Sequence, residues 1–191
     1  MAEKIRFIGR IQHTEDTIQR LFKTEYFTYS KRRILARMLV GAAMVVTGLL
    51  YQRNRIVQVI LLMIGCWLLF SRDFPASVQA DRTLEKRKGR LPQNTCTFFD
   101  SGMDLDGEGR MRLAYSRFQQ LVEDERYLYL FLGKGSVCMI DKETIERGSV
   151  EELKEFVEKH TGLTWRAKSK SLLQMNLYDV WQMLQDKRRR R

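Results

Sequence analysis

Two apolar runs, residues 34–51 and 56–70, lie back to back in an otherwise polar chain, separated only by Gln52-Arg53-Asn54-Arg55. A chain with this pattern folds around a helical hairpin or hides it in lipid, and everything else must be arranged about it. The runs are about 18 and about 15 residues long, against the ~20 that an α-helix needs to cross ~30 Å of hydrocarbon. Tyr51, Trp67 and Phe70 suit an interface, and Arg37, Arg53 and Arg55 can extend their charges from the ends. Gly41-Ala42-Ala43 and Gly48 favour close helix contact in lipid. The expectation is a transmembrane hairpin. A buried soluble hairpin and a re-entrant loop are its rivals, the second because both runs are short.

Basic residues set the expected orientation. Lys31, Arg32, Arg33 and Arg37 precede the first run, and Arg72, Arg82, Lys86, Arg87, Lys88 and Arg90 follow the second. The turn holds only Arg53 and Arg55, so both termini are expected in the cytoplasm. The start, Met-Ala-Glu-Lys-Ile-Arg, does not read as a secretory signal. The mean hydropathy of −0.37 reflects the polar remainder of the chain. Net charge is +11, concentrated beside the hairpin and in Lys187-Arg188-Arg189-Arg190-Arg191. Next to a bilayer the nearest polyanion is the anionic headgroup layer, so lipid is the expected partner and nucleic acid is not. Cys66, Cys96 and Cys138 form no metal or redox spacing and read as reduced.

Along the chain, residues 4–12 alternate as a half-buried strand, with Ile5, Phe7 and Ile11 on the pattern and Gly9 as a bulge candidate. Thr14 is the expected N-cap of a helix carrying Ile18, Leu21, Phe22, Tyr26 and Tyr29. Phe74-Pro75 is expected to break the helix after the hairpin, and a basic amphipathic stretch follows from about Val78 to Lys88. From Thr95 the pattern is strands and turns: 95–99, 103–105, 110–115, 118–122, 127–132 and 137–140. Asp106-Gly107 with Gly109 marks one hairpin, and Gly133-Lys134-Gly135 another. Ser149 and Glu152 form a capping box for a helix with Leu153, Phe156, Val157 and His160 on one face, ended by Gly162. These residues imply a small β-roll plugged by a helix.

The order of these elements, with Phe99-Asp100-Ser101-Gly102-Met103, Tyr115-Ser116-Arg117-Phe118, Leu121-Val122, Tyr127-Leu128-Tyr129-Leu130-Phe131, Ile140-Asp141-Lys142 and the 152–160 helix, resembles the YcxB-like proteins of bacteria. The resemblance covers about residues 3 to 166. It implies a pleckstrin-homology-like roll and a bacterial inner-membrane setting, and it implies no reaction. The expected fold class is thus an α+β membrane protein, a two-helix transmembrane hairpin inserted into a pleckstrin-homology-like β-roll closed by a C-terminal helix. The expected segments are 1–30 (strand and amphipathic helix packing with the cytoplasmic domain), 31–72 (hairpin), 73–94 (basic juxtamembrane), 95–166 (roll) and 167–191 (amphipathic helix and polybasic tail).

No motif carries chemistry. Asp104-x-Asp106-Gly107 has Gly102 and Leu113 where a calcium loop needs ligands, so it reads as a hairpin turn. Gly133-Lys134-Gly135-Ser136 lacks the glycine spacing and following helix of a phosphate loop. His13 and His160 are isolated, and Glu123, Asp124 and Glu125 cluster in a turn. No catalytic residue, cofactor or metal is therefore assigned. The expectation is a non-catalytic binding, scaffolding or regulatory module at the inner membrane face. The alternative is a membrane-associated enzyme whose site lies between roll and bilayer. Membrane-surface contact falls to Lys31, Arg32, Arg33, Arg82, Lys86, Arg87, Lys88, Trp181, Arg188, Arg189, Arg190 and Arg191, and oligomerisation could use the hairpin. After Ser171, Leu173, Leu177, Val180, Trp181 and Leu184 share one helical face, which packs on the body, lies in the interface or binds a protein partner.

Overall fold

The computed structural model describes residues 3–71, 73–87, 91–107 and 109–167. The expectations for Arg72, Lys88, Gly89, Arg90 and the tail from residue 168, including Trp181 and Arg188 to Arg191, lie outside the described residues. The architecture is mixed α+β. Two compact units divide it: residues up to Leu21 with those from Thr83 onward, and the stretch Phe22–Arg82. The division falls within two helices, α1 (Glu15–Tyr29) and α4 (Phe74–Arg87).

Among the described residues the first unit holds eight strands in two four-stranded sheets. In one, β1 (Phe7–Gln12), β2 (Gln93–Phe98), β3 (Met103–Asp106) and β4 (Arg110–Leu113) follow each other antiparallel. The leading strand therefore pairs with a strand more than eighty residues away, Phe7 against Phe98 and Gln12 against Gln93. That register runs without interruption, so Gly9 is not a bulge. It is a point of close approach: a Cβ there would lie 2.5 Å from Ile140 Cγ2.

The second sheet has the order β7 (Ser136–Asp141), β6 (Tyr127–Gly133), β5 (Gln120–Glu123) and β8 (Trp165–Ala167). The pairing of β8 with β5 is parallel, Leu121 opposite Trp165. No periodicity in the sequence marks this strand. It is three residues long and held by groups local to the preceding helix: Trp165 N donates to Glu158 Oε1 (2.7 Å) and Trp165 Nε1 to the Lys154 carbonyl (3.1 Å). Glycines 133 (φ 155°) and 135 (φ 84°) form the β6–β7 turn as expected. Asp106 pairs with Arg110 across the β3–β4 hairpin.

The helix α5 (Val150–Thr161) closes the unit. Ser149 and Glu152 make both halves of the capping box, and Gly162 ends the helix in the left-handed region at φ 69°. Leu153 and Val157 enter a core with Phe98, Met103, Leu113, Leu128, Leu130 and Ile140. Strand β6 is buried on both faces, since Tyr127, Tyr129 and Phe131 are also enclosed; this is why its sequence is continuously apolar rather than alternating. At the start of α1, Thr14 Oγ1 accepts from Thr17 N (3.3 Å) while Thr17 Oγ1 accepts from Thr14 N (2.7 Å). Thr14 is thus the N-cap, with threonine in the role that glutamate plays in a capping box.

The second unit is built on α2 (Lys31–Leu50) and α3 (Arg55–Phe70), which pack on each other. Asn54 caps α3, its side chain accepting from Ile56 N (2.9 Å). The expected break at Phe74-Pro75 falls earlier. Both residues belong to the first turn of α4, where proline loses no intrahelical bond and its fixed φ suits the helix.

Candidate functional site

The two helices of the second unit are apolar on the outside and small on the inside. Along α2 and α3 the buried residues are Ile34, Gly41, Gly48 and Gly65. A Cβ on Gly65 would fall 2.8 Å from Val45 Cγ2 and 2.9 Å from the Gly41 carbonyl oxygen, and one on Gly48 would fall 3.0 Å from Leu62 Cγ. The backbones meet because these positions carry no side chain. The large residues turn outward: Leu39 is 64%, Leu50 76%, Ile56 71% and Met63 67% exposed. Helix Lys31–Leu50 is long and apolar enough to cross a membrane; Arg55–Phe70 qualifies only together with Phe74–Arg87, a pair bent by 65°.

Polar and aromatic groups gather at one end of the pair. Arg37 lies 5.5 Å from the Trp67 ring centroid and donates from Nη2 to Ser71 Oγ (2.9 Å). Ser71 in turn donates to the Trp67 carbonyl (2.6 Å), and Phe74 meets Trp67 edge-on at 5.7 Å. Lys23 pairs with Asp73 at 3.0 Å. The opposite end carries Tyr51, Gln52, Arg53 and Arg55, the last three exposed.

The basic residues singled out from sequence fall into separate groups. Lys31, Arg32 and Arg33 form the exposed first turn of α2, which has no acidic residue. Three cations at a helix N-terminus oppose the helix dipole, so their presence there is not explained by helix stability. Arg82 and Lys86 stand exposed one turn apart on α4, and Arg87 is half-buried. Arg82 belongs to the second unit, Lys86 and Arg87 to the first.

The first unit carries a groove of about 790 Å³ between the chain entering β1 and helix α5. Its walls include Lys4, Arg6, Asp100, Arg147, Glu152, Glu155 and Lys159, with Phe7, Phe156 and His160 between them. Arg6 holds Asp100 in a two-pronged ion pair (2.9–3.1 Å), and that guanidinium keeps the Asp100 carboxyl below its usual range. His160 Nδ1 donates to the Phe156 carbonyl (2.8 Å). Sequence reasoning noticed His160 but not the groove, because Lys4, Arg147 and Lys159 are far apart in the chain and belong to no motif.

Elsewhere in this unit charged groups are consumed by structure. Burial opposes the charge on Glu123, but hydrogen bonds from Lys154 (2.8 Å) and Lys142 (3.1 Å) prevail and lower its pKa. Asp124 accepts from Tyr127 N (2.7 Å) and Tyr129 Oη (2.8 Å). Asp141 caps the 3₁₀ turn that follows β7 and pairs with Arg126 at 3.1 Å. Among the described residues no group of three His, Cys, Asp or Glu side chains is placed to hold a metal ion.

Residues 98–158, from the end of β2 to most of α5, match the family of YcxB-like proteins. Over this stretch the chain is similar to that family. The match covers about a third of the sequence and contains the Phe99–Met103, Tyr115–Phe118, Tyr127–Phe131 and Ile140–Lys142 segments on which the resemblance was drawn. No curated protein matches the chain. Among solved structures, that of the Spt16D Pob3N heterodimer aligns at 15% identity over 44% of this chain and 49% of that one, with a TM-score of 0.31. The chain thus spans about half the length of that neighbour. The matched stretch contains β3 to β7 and most of α5 but does not reach the helices of the second unit or β1.

Proposed function

We propose that the chain is a membrane-anchored, non-catalytic binding or scaffolding module, held by α2 and α3 at the inner face of a bacterial membrane. The observation that carries this reading is the inverted packing of the two helices. Gly41 and Gly65 face each other and Gly48 meets Leu62, while Leu39, Leu50, Ile56 and Met63 face out. Water would charge roughly 1.5–3 kcal/mol for each large apolar side chain left exposed, whereas hydrocarbon accepts them without cost. Glycine contacts supply the close packing that helix association in lipid depends on.

The end groups support the same reading. Arg37, Trp67 and Ser71 make a polar and aromatic belt of the kind favoured at headgroup depth. Lys31 to Arg33 and Arg82 outnumber Arg53 and Arg55, which favours both termini in the cytoplasm and anionic headgroups as the surface partner. The two sheets closed by α5 favour a pleckstrin-homology-like roll, with β1 completing it from before the anchor. The match to a family of YcxB-like proteins agrees with this setting. Alkaline carbonate extraction of membranes from expressing cells tests the anchor: the protein should stay in the pellet. Complete release into the supernatant would remove the proposal.

A further inference from the structure

The groove between Lys4 and α5 has an unusual charge arrangement. Two of its three carboxylates are already committed: Asp100 to Arg6, and Glu152 to the Ser149 amide (2.8 Å) in the capping box. Three of its cations, Lys4, Arg147 and Lys159, are exposed and form no ion pair among the described residues; Arg147 makes one long contact to the Ile5 carbonyl (3.4 Å). Glu155, one turn before Lys159, tempers these three charges without cancelling them. The floor between them is aromatic, with Phe7 and Phe156 5.4 Å apart and Phe156 and His160 4.1 Å apart. Because His160 Nδ1 is held by the Phe156 carbonyl, Nε2 is the ring nitrogen left for a ligand.

Arg147 is also the single non-glycine residue, among the described ones, with a positive φ (67°). The left-handed region is unfavourable for arginine, and glycine or asparagine would sit there more comfortably. Its neighbour Gly148 cannot be replaced freely, since a Cβ there would lie 2.6 Å from Phe7 Cε1 and 2.7 Å from Glu152 Oε2. A tight glycine thus fixes the loop against the groove, and an arginine is kept at a position whose backbone prefers none. Strain of this kind is an observation from which function is inferred.

We propose that this groove docks an extended acidic peptide from a protein partner, with its carboxylates on Lys4, Arg147 and Lys159 and an apolar side chain over Phe7 and Phe156. This deepens the scaffolding reading by naming a partner class and rests on it only in treating the first unit as a binding module. A peptide suits the groove better than a phosphoanion. The capping box already occupies the α5 terminus that would otherwise receive a phosphate. Singly charged carboxylates spaced along a chain meet separate cations instead.

The test uses the full chain in neutral detergent and a fluorescent, end-blocked Asp-Asp-Phe-Asp-Asp peptide, read by polarisation. The expected result is saturable binding that a Lys-Lys-Phe-Lys-Lys peptide does not show. Arg147→Gly and Lys159→Gln should each weaken it by about tenfold, while Lys134→Gln, exposed in the β6–β7 turn and outside the groove, leaves it unchanged. Arg147→Gly is the informative variant because glycine relieves the backbone and should not unfold the protein. Absence of saturable binding, or equal affinity in Arg147→Gly and its parent, overturns the proposal. Displacement by inorganic phosphate at the peptide's own concentration would assign the groove to a phosphoanion and overturn it too. None of these outcomes bears on carbonate extraction, so failure of the groove and failure of the anchor are distinguishable.

Discussion

Gly9 of β1 faces Ile140 of β7 so closely that a Cβ on residue 9 would lie 2.5 Å from the isoleucine Cγ2. The contact joins a strand that precedes α2 and α3 to one that follows them, so the first unit is assembled from residues on both sides of those helices. Gly9→Ala should therefore destabilise the first unit by about 1–3 kcal/mol through overpacking, read as a shift in its denaturant midpoint. Starting the chain at Gln93 should be worse, because β2 then becomes an unpaired edge. Unchanged stability in either case would show that β1 is dispensable.

The glycine contact between α2 and α3 can be tested in the same spirit. Gly65→Leu places a large side chain where even a Cβ meets Val45 and the Gly41 backbone, and backbone cannot yield as a side-chain tip can. The two helices should separate in detergent, seen as faster proteolysis at the Gln52–Arg53 turn. Ala42→Leu, at an exposed position, should not have this effect.

His13 supplies a pH dependence. It is buried, its Nε2 lies 3.2 Å from the Asn94 amide nitrogen, and burial, aided by the charge of Arg87, lowers its pKa. A depressed histidine pKa means that folding favours the neutral ring. The stabilisation is complete above the unfolded value of about 6.5 and is lost as pH falls from there through the folded value. Denaturant midpoints at pH 7.5 and 5.5 should differ more for the parent than for His13→Gln. Equal differences would mean that other groups govern the acid response.

The cysteines should divide by environment. Cys96 and Cys138 are buried, and burial raises both thiols, Cys138 to about 12. Cys66 is exposed on α3. A membrane-permeant maleimide should modify one thiol in the folded protein and three after unfolding. Early modification of Cys96 or Cys138 would show that the core opens more readily than its packing implies.

Much of the fold was legible because it is written locally. The Ser149–Glu152 capping box and the Gly133 and Gly135 turn are determined by neighbours in sequence and appear where expected, and the alternation of residues 4–12 yields a strand that starts at Phe7. Gly9 was misread because glycine in a strand signals either a bulge or a close approach, and only Ile140, distant in the chain, decides between them. Pro75 was misread as a break because proline ends one helix and starts another with equal ease. Strand β8 was missed since three residues pairing in parallel leave no periodicity. The groove was invisible for a related reason: Lys4, Arg147 and Lys159 are brought together by the fold of the first unit, and the positive φ at Arg147 exists only in the folded backbone.

The most direct test of the anchor is the side of the membrane on which the α2–α3 turn lies. Gln52→Cys is preferable to a change at Asn54, whose side chain caps α3. With Cys66 replaced by alanine and the two buried cysteines left in place, Gln52→Cys in intact cells should react with an impermeant thiol reagent. Lys134→Cys, exposed in the β6–β7 turn, should react only after lysis. Labelling of Lys134→Cys from outside would invert the orientation, and failure to label Gln52→Cys before lysis would contradict a crossing hairpin.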